Sequence, residues 1–517
     1  MKSIRLAAFV AAIVSVAALI GSAGAAGGVS PSMVDLSTNA AVNTYLQSIG
    51  VDPATVVIQR GANNYAGPFC PGAGWNCTTA TSVVQVASPG GTNQFDCGDP
   101  SLFPQATVTA PAAGYLANGR CLAIQDATAG TNTIDIERST NNSPALACPP
   151  SGRQQSSAGG QNHFTCHLVI HISNDSLDQS ATEQATITQD APNGGGNHSS
   201  IDLEITLTSS VTAPTEAQRQ NAWQRAVVDQ TATGGAENHS DVSETQYLRG
   251  RISGATESNQ YQNTAGIAGS GFGNCNPANA SAVSDPNSCA VVTQNATPDG
   301  GNQDSQLSFL NDLDARTTAI SGTQNQGCLA IETRCSGVTT GLSGTVPQPA
   351  AGSTDTSHET YSERQDVTAG DPDVVQNQTA PQSCCALQTG SATNSLVNAD
   401  QTSTQNASTS TTPLDPLALA FPNPGATQIT FLTGKIQTDG NGTLDQTGRQ
   451  DNGTATEGCT LPPPPIESPT PTDEGAPACG SALFMVDGVP ITCEAGQVPT
   501  VGENGFICAT PPPPGPV

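Results

Sequence analysis

Ala185-Thr186-Ile187-Thr188-Gln189 leads through Pro192-Asn193-Gly194-Gly195-Gly196-Asn197 to Ser200-Ile201-Asp202-Leu203-Glu204-Ile205-Thr206-Leu207-Thr208. In the last segment Ile201, Leu203, Ile205 and Leu207 alternate strictly with polar residues. A period of two is that of a β-strand with one buried and one wet face. β-branched residues in the first segment suit a pleat as well. Between the two, proline stops a ladder and the glycines accept the positive φ of a turn. The stretch reads as strand, glycine turn, strand.

The same frame recurs along the chain: a glutamine, a glycine-rich turn, then an asparagine eight residues after the glutamine. Its copies are Gln85/Asn93, Gln154/Asn162, Gln189/Asn197, Gln230/Asn238 and Gln294/Asn302, with Gln125/Asn132 one residue shorter. Successive glutamines lie 40, 29, 35, 41 and 64 residues apart, and a degenerate copy around Gln262 would split the last interval. Recurrence every few tens of residues marks stacked modules, because one strand–turn–strand unit cannot bury its apolar face alone. The predicted class is therefore all-β: irregular strand–Gly-turn–strand repeats, arranged as a β-solenoid or as stacked hairpins, stapled by disulfides. Stacked Gln and Asn side chains would hydrogen-bond along a ladder.

Gln189, Gly194 to Gly196, Asn197 and Ser199 stand in the order found in curlin-type repeats, the units of bacterial surface amyloid fibres, which this repeat resembles. The turn here is longer, the period is larger and less regular, and cysteines interrupt it. The resemblance implies β-ladder architecture.

Composition sets the habitat. Lys2 and Arg5, the apolar run Leu6 to Ile20 and the small residues Ala23-Gly24-Ala25 have the order of a secretory signal, here 1–25. Without it, 13 basic residues face 43 acidic ones, a net charge of −30, and Lys435 is the one lysine. Such a chain repels nucleic acid and anionic lipid, so neither is expected as a partner. Aromatic residues make up only 4%, too few for a large ordinary core. The expected organisation continues with an N-terminal cap and disulfide loop at 26–80, a β-repeat region at 81–319 and a degenerate one at 320–458. A proline-rich linker at 459–478 and a small Cys-containing module at 479–517 close the chain. Within the cap, Ala40 to Ile49 predicts a short helix ended by Gly50. Gln365-Asp366 echoes Gln125-Asp126, which suggests that the module family continues.

Sixteen cysteines in an exported chain read as disulfides, and no Cys-x-x-Cys suggests zinc or a redox site. Short loops would be closed by Cys70 with Cys77, Cys148 with Cys166, Cys275 with Cys289, and Cys328 with Cys335; Cys97 and Cys121 are further candidates. His163, His167 and His171 are spaced by four, but on a strand that spacing spreads them over about 13 Å, too far for one ion. His163, His198 and His239 each follow a turn asparagine. Asp439, Asn441 and Asp445 have part of the spacing of a calcium loop, without its leading aspartate and bidentate acid. Beyond possible calcium there, no cofactor is expected. No Gly-x-Ser-x-Gly, P-loop, dinucleotide fingerprint or His-Glu-x-x-His occurs.

These features predict a secreted protein of a bacterial surface or extracellular matrix, structural or adhesive and without catalysis. Its partners would be extracellular glycans, cell surfaces or its own copies. Two alternatives stand beside it: an extracellular carbohydrate-binding or carbohydrate-active β-helix, and a largely disordered exported chain.

Overall fold

The computed structural model describes residues 33–509 except 104–111, 142, 149–151, 213–214, 265–288, 297–301, 327–339, 348–353, 390–393, 416–418, 424–425, 438–440, 452–481, 487–488, 494–497 and 503–504. The described residues are mostly β, and they form a parallel β-solenoid. Each coil lays one strand in a first sheet, turns at the glycine corner, and lays the next strand in a second sheet. The first sheet stacks 57–61, 83–87, 122–127, 153–157 and Asp178–Ala191, then Thr215–Ala232 and the coils beyond it, through Val374–Thr389 to Thr427–Gln437. The second stacks 63–66, 92–98, Thr131–Thr140, Gln161–Asn174, Gly196–Thr212, Glu237–Ser253, Gln303–Thr317, Thr354–Ala369, Asn394–Thr409 and Asn441–Asp451. Every one of these pairings is parallel, whereas hairpins pair antiparallel, so stacked hairpins are ruled out for this region.

The alternation in 200–208 does what the pattern asks. Ile201, Leu203, Ile205 and Leu207 are buried, and the residues between them face outward. Inner rows run from coil to coil: Val83, Ala123, Gly152, Ile187, Val228 and Val292 in the first sheet; Cys97, Ile136, Cys166, Ile201, Val242 and Leu307 in the second. Two disulfides cross this interior from sheet to sheet, Cys97–Cys121 and Cys148–Cys166, and a third, Cys70–Cys77, closes the loop beside the first coil. Such bonds fit an oxidising environment. The pairs Cys275/Cys289 and Cys328/Cys335 involve positions outside the described residues.

Glycine corners stack as closely as the strands. A Cβ on Gly130 would lie 2.1 Å from the Gly91 carbonyl oxygen, and one on Gly195 2.1 Å from that of Gly160. Only glycine lets successive corners approach this far.

The helix forms at Asn39–Ser48, where the Thr38 hydroxyl accepts from the Ala41 N–H as N-cap and Gly50 follows at φ +71°. It does not close the end of the stack, as a cap would. Leu36, Val42 and Leu46 instead pack on Val84, Leu122 and Ile124, outward-facing residues of the first sheet. The row of Val84 and Ile124 continues as Arg153, Thr188 and Asp229, so the helix covers its apolar part. At 482–509, Ala482–Val486 pairs antiparallel with Thr427–Gln437 as well as with Val489–Cys493.

Candidate binding surface

The corner glutamines and asparagines are fully buried and form two ladders. Each glutamine donates one N–H to the preceding coil's glutamine oxygen: Gln85 to Gln59 at 2.9 Å, Gln125 to Gln85 at 2.8, Gln154 to Gln125 at 2.9, Gln189 to Gln154 at 2.8, Gln230 to Gln189 at 2.8 and Gln294 to Gln230 at 2.9. The second N–H donates across the coil to a main-chain carbonyl, as from Gln189 to His198 at 2.8 Å. The asparagines run the opposite way. Asn93 donates to Asn132, Asn132 to Asn162, Asn162 to Asn197 and Asn197 to Asn238, each at 2.8 Å. Both amide hydrogens are thus used in a space without water, which is what makes a buried amide tolerable.

Three sequence readings are corrected here. Asn302 is off the ladder: Asn238 pairs with Gln303 and donates to its oxygen at 2.6 Å, while Asn302 reaches Glu237 at 3.3 Å. The corner after Gln294 takes up one extra residue, and a fixed count of eight cannot see that. Gln262 is not another copy of the unit, because its strand, Glu257–Asn263, pairs with 215–221, the first half of Thr215–Ala232. The echo between Gln365 and Gln125 joins residues of different sheets.

Sequence reasoning missed Gln59, which starts the glutamine ladder, and Asn64, five residues on, which donates to Asn93 and accepts from Asn76 at 3.2 Å. It also missed two further ladders in the first sheet. Gln260 donates to Gln218, Gln324 to Gln260 and Gln376 to Gln324; Gln220 donates to Gln179, Gln262 to Gln220, Gln326 to Gln262 and Gln378 to Gln326, all at 2.7–2.9 Å. The signal was present as Gln-x-Gln at 218/220, 260/262, 324/326 and 376/378.

Outside, the second sheet presents polar rows in register. His163 and His198 stack with ring centroids 5.1 Å apart, and His239 follows tilted by 49° at 5.9 Å. His239 closes the row between two carboxylates, Asp304 on Nδ1 and Asp241 on Nε2, each at 3.0 Å. The Asp304 hydrogen bond leads in pushing its pKa up to about 9, whereas burial lowers His163 and His198. His163, His167 and His171 spread along Gln161–Asn174 and do not converge; His167 meets Glu137 at 2.9 Å. Near the far corner Arg249 pairs with Asp312 at 2.6 Å, Arg316 with Asp314 at 2.8 and Arg364 with Asp366 at 2.7. Arg316, Arg364, Asp366, Asn406, Ser408 and Asp415 line an open groove of about 140 Å³.

Among the described residues, no three His, Cys, Asp or Glu side chains gather around one point. Asn441 and Asp445 lie within the strand Asn441–Asp451, not in the loop that a calcium reading requires, and Asp439 lies outside the described residues. No helix among the described residues is long and apolar enough to cross a membrane. The fold and this surface define the protein as a parallel β-solenoid with amide-ladder corners. Comparison with family models, curated proteins and solved structures gave no match.

Proposed function

We propose that the protein is a secreted structural or adhesive element of a bacterial surface or matrix, without catalysis, whose outer face engages glycans, cell surfaces or further copies of the chain. The observation that carries this reading is the second sheet's outer face. There, coil after coil in strict register presents His, Asp, Glu, Arg, Ser and Thr on a rigid support. Repetition of weak polar contacts along one face gives avidity without a deep pocket. The secretory leader and the disulfides support export. The irregular repeat, as the unit that sets this surface, belongs to the same proposal.

The test uses labelled, oxidised mature protein on intact cells and on purified extracellular matrix. Retention through washing, competed by unlabelled protein, is expected. Uniform loss on washing, together with monodisperse monomers in sedimentation, would refute the reading. A second reading, carbohydrate binding, is favoured by the groove of Arg316, Arg364, Asp366 and Asn406, which mixes hydroxyl-binding donors and acceptors. Saturable binding of soluble oligosaccharides that is lost in Arg364→Gln would favour it.

A further inference from the structure

At the N-terminal end of the stack, the second-sheet segment 64–66 has a neighbour on both edges. One is the next coil, 93–95. The other is Asn76–Thr78, three residues that run parallel to 64–66, in the direction a strand of a preceding coil would take. Asn76 also stands in for that missing coil in both corner ladders. Its carbonyl accepts from Gln59 Nε2 at 2.5 Å, as a preceding glutamine oxygen would. Its Nδ2 donates to Asn64 Oδ1 at 3.2 Å, as a preceding asparagine would. The Gly67 N–H donates to the Thr78 carbonyl at 3.0 Å and completes the contact.

So short a strand makes few bonds, and the Cys70–Cys77 disulfide closes the loop that carries it. Both of these cysteines are exposed, whereas the four of the core-crossing disulfides are fully buried. The Cys70–Cys77 bond thus supports no core; it holds Asn76 against an edge. The far end of the stack is finished differently. There Ala482–Val486 covers Thr427–Gln437 of the first sheet antiparallel. In the second sheet Asn441–Asp451 pairs with Asn394–Thr409 on one edge and, among the described residues, with nothing on the other.

An unpaired edge is a template for another strand. We propose that the edge 64–66 is a docking site for the strand Asn441–Asp451 of a second copy, and that the Asn76 loop occupies this site until it is displaced. Both occupants belong to one sheet position and run in one direction, so they exclude each other. Closed, the chain has no end-to-end partner. Opened, copies join head to tail, a contact that does not close on itself and builds open chains. The contact uses the ends of the stack and is independent of the outer-face reading.

The test compares the oxidised mature parent with the triple variant Cys70→Ser, Cys77→Ser, Asn76→Ala. All three side chains are exposed and the core-crossing disulfides are untouched, so the variant should remain folded. Sedimentation over a range of concentrations reads association, hydrogen exchange at Gly67 reads the loop, and a synthetic peptide of residues 441–451 is the probe. Expected are loss of protection at Gly67, a rise of the average mass to at least double with concentration, and peptide that binds the variant, breaks up its complexes and ignores the parent. Copies joined by their outer faces would form equally in the parent and resist the peptide, so failure of the two readings is told apart. A variant that exchanges fast at Gly67 yet stays single, or complexes that the peptide leaves intact, overturns the docking site. Full protection of Gly67 in the variant, or peptide that binds parent and variant equally, overturns the role of the loop.

Discussion

Replacing Gln189 by leucine tests whether the amide ladder holds the coils together. Gln189 donates to Gln154 Oε1 and to the His198 carbonyl, and accepts from Gln230 Nε2, all at 2.8 Å and fully buried. Leucine keeps the volume and deletes three hydrogen bonds, each worth about 1 kcal/mol net. It also leaves one N–H of Gln230 with only the long contact to the Ser199 hydroxyl, 3.4 Å, and two acceptors short of a donor, at about 1–3 kcal/mol for the poorly satisfied donor. The added apolar burial offsets about 1 kcal/mol. The expected loss is about 3–5 kcal/mol. Gln294→Leu is the internal comparison, because nothing donates to its Oε1 and only its bonds to Gln230 and Asp304 disappear. With no donor stranded and the same apolar offset, its cost is about 1 kcal/mol. Guanidinium midpoints give the stabilities, and hydrogen exchange around residues 154–238 shows whether the damage stays in the neighbouring coils, as a nearest-neighbour stack requires. Gln189→Leu within about 1 kcal/mol of the parent, or no milder effect for Gln294→Leu, would refute the ladder argument.

Other expectations follow from single contacts. Removing the core-crossing Cys97–Cys121 bond with paired serines should lower stability by about 3.5 kcal/mol, by the entropy of its loop, and an unchanged denaturation midpoint would contradict that. Gly130→Ala should destabilise by more than about 2 kcal/mol, because its methyl meets the Gly91 carbonyl, whereas Gly159→Ala, with open space around it, should show only the smaller strain of its positive φ, about 1 kcal/mol. His239 has its pKa raised to about 9, so the carboxylate pairing stabilises the fold below the ordinary 6.5 and is lost as pH rises through 9. Asp304→Asn should therefore bring the His239 titration down in an NMR experiment, and an unmoved titration would show that Asp304 is not the cause.

The sequence carried the class and the two corner ladders, for a physical reason. Alternation at 200–208 is a direct image of the pleat, and a glutamine followed by glycines and an asparagine is a direct image of a corner. What could not be read was which polar residues face inward. In an ordinary protein a glutamine on an alternating strand belongs to the wet face, so nothing in the pattern marks Gln218, Gln220 and Gln260 as interior, and Gln262 reads only as a degenerate corner. In a stack they are interior, because the coils above and below satisfy their amides. That satisfaction is a property of register and is invisible to composition. The same blindness hid the buried Glu183 and Glu244, whose neighbours in sequence are unremarkable and whose neighbours along the stack are Leu146 and Gln224 for the one and Leu203 and Phe309 for the other.

Register also explains how so irregular a chain builds so regular a stack. The inner position held by Asn64 recurs at Asn93, Asn132, Asn162, Asn197, Asn238 and Gln303, hence after 29, 39, 30, 35, 41 and 65 residues. Strand segments must keep step, because a slip of one residue turns every buried side chain outward. The stretches between strands carry no such constraint, and lengthening a loop adds closure entropy only slowly, about 0.6 kcal/mol per doubling. Length variation therefore collects between the strands, and the interior is conserved in geometry rather than in spacing. The extra residue between Gln294 and Gln303 is the sharpest case: the corner grows by one, the ladder position passes from asparagine to the longer glutamine, and the Asn238 amide still finds an oxygen at 2.6 Å. A side-chain ladder that tolerates Gln for Asn at one rung is held by hydrogen-bond satisfaction at that rung, so shortening Gln303 to alanine should break it there while leaving the rungs from Asn93 to Asn197 protected from exchange. Loss of protection along the whole ladder would instead mean that the stack melts as one unit.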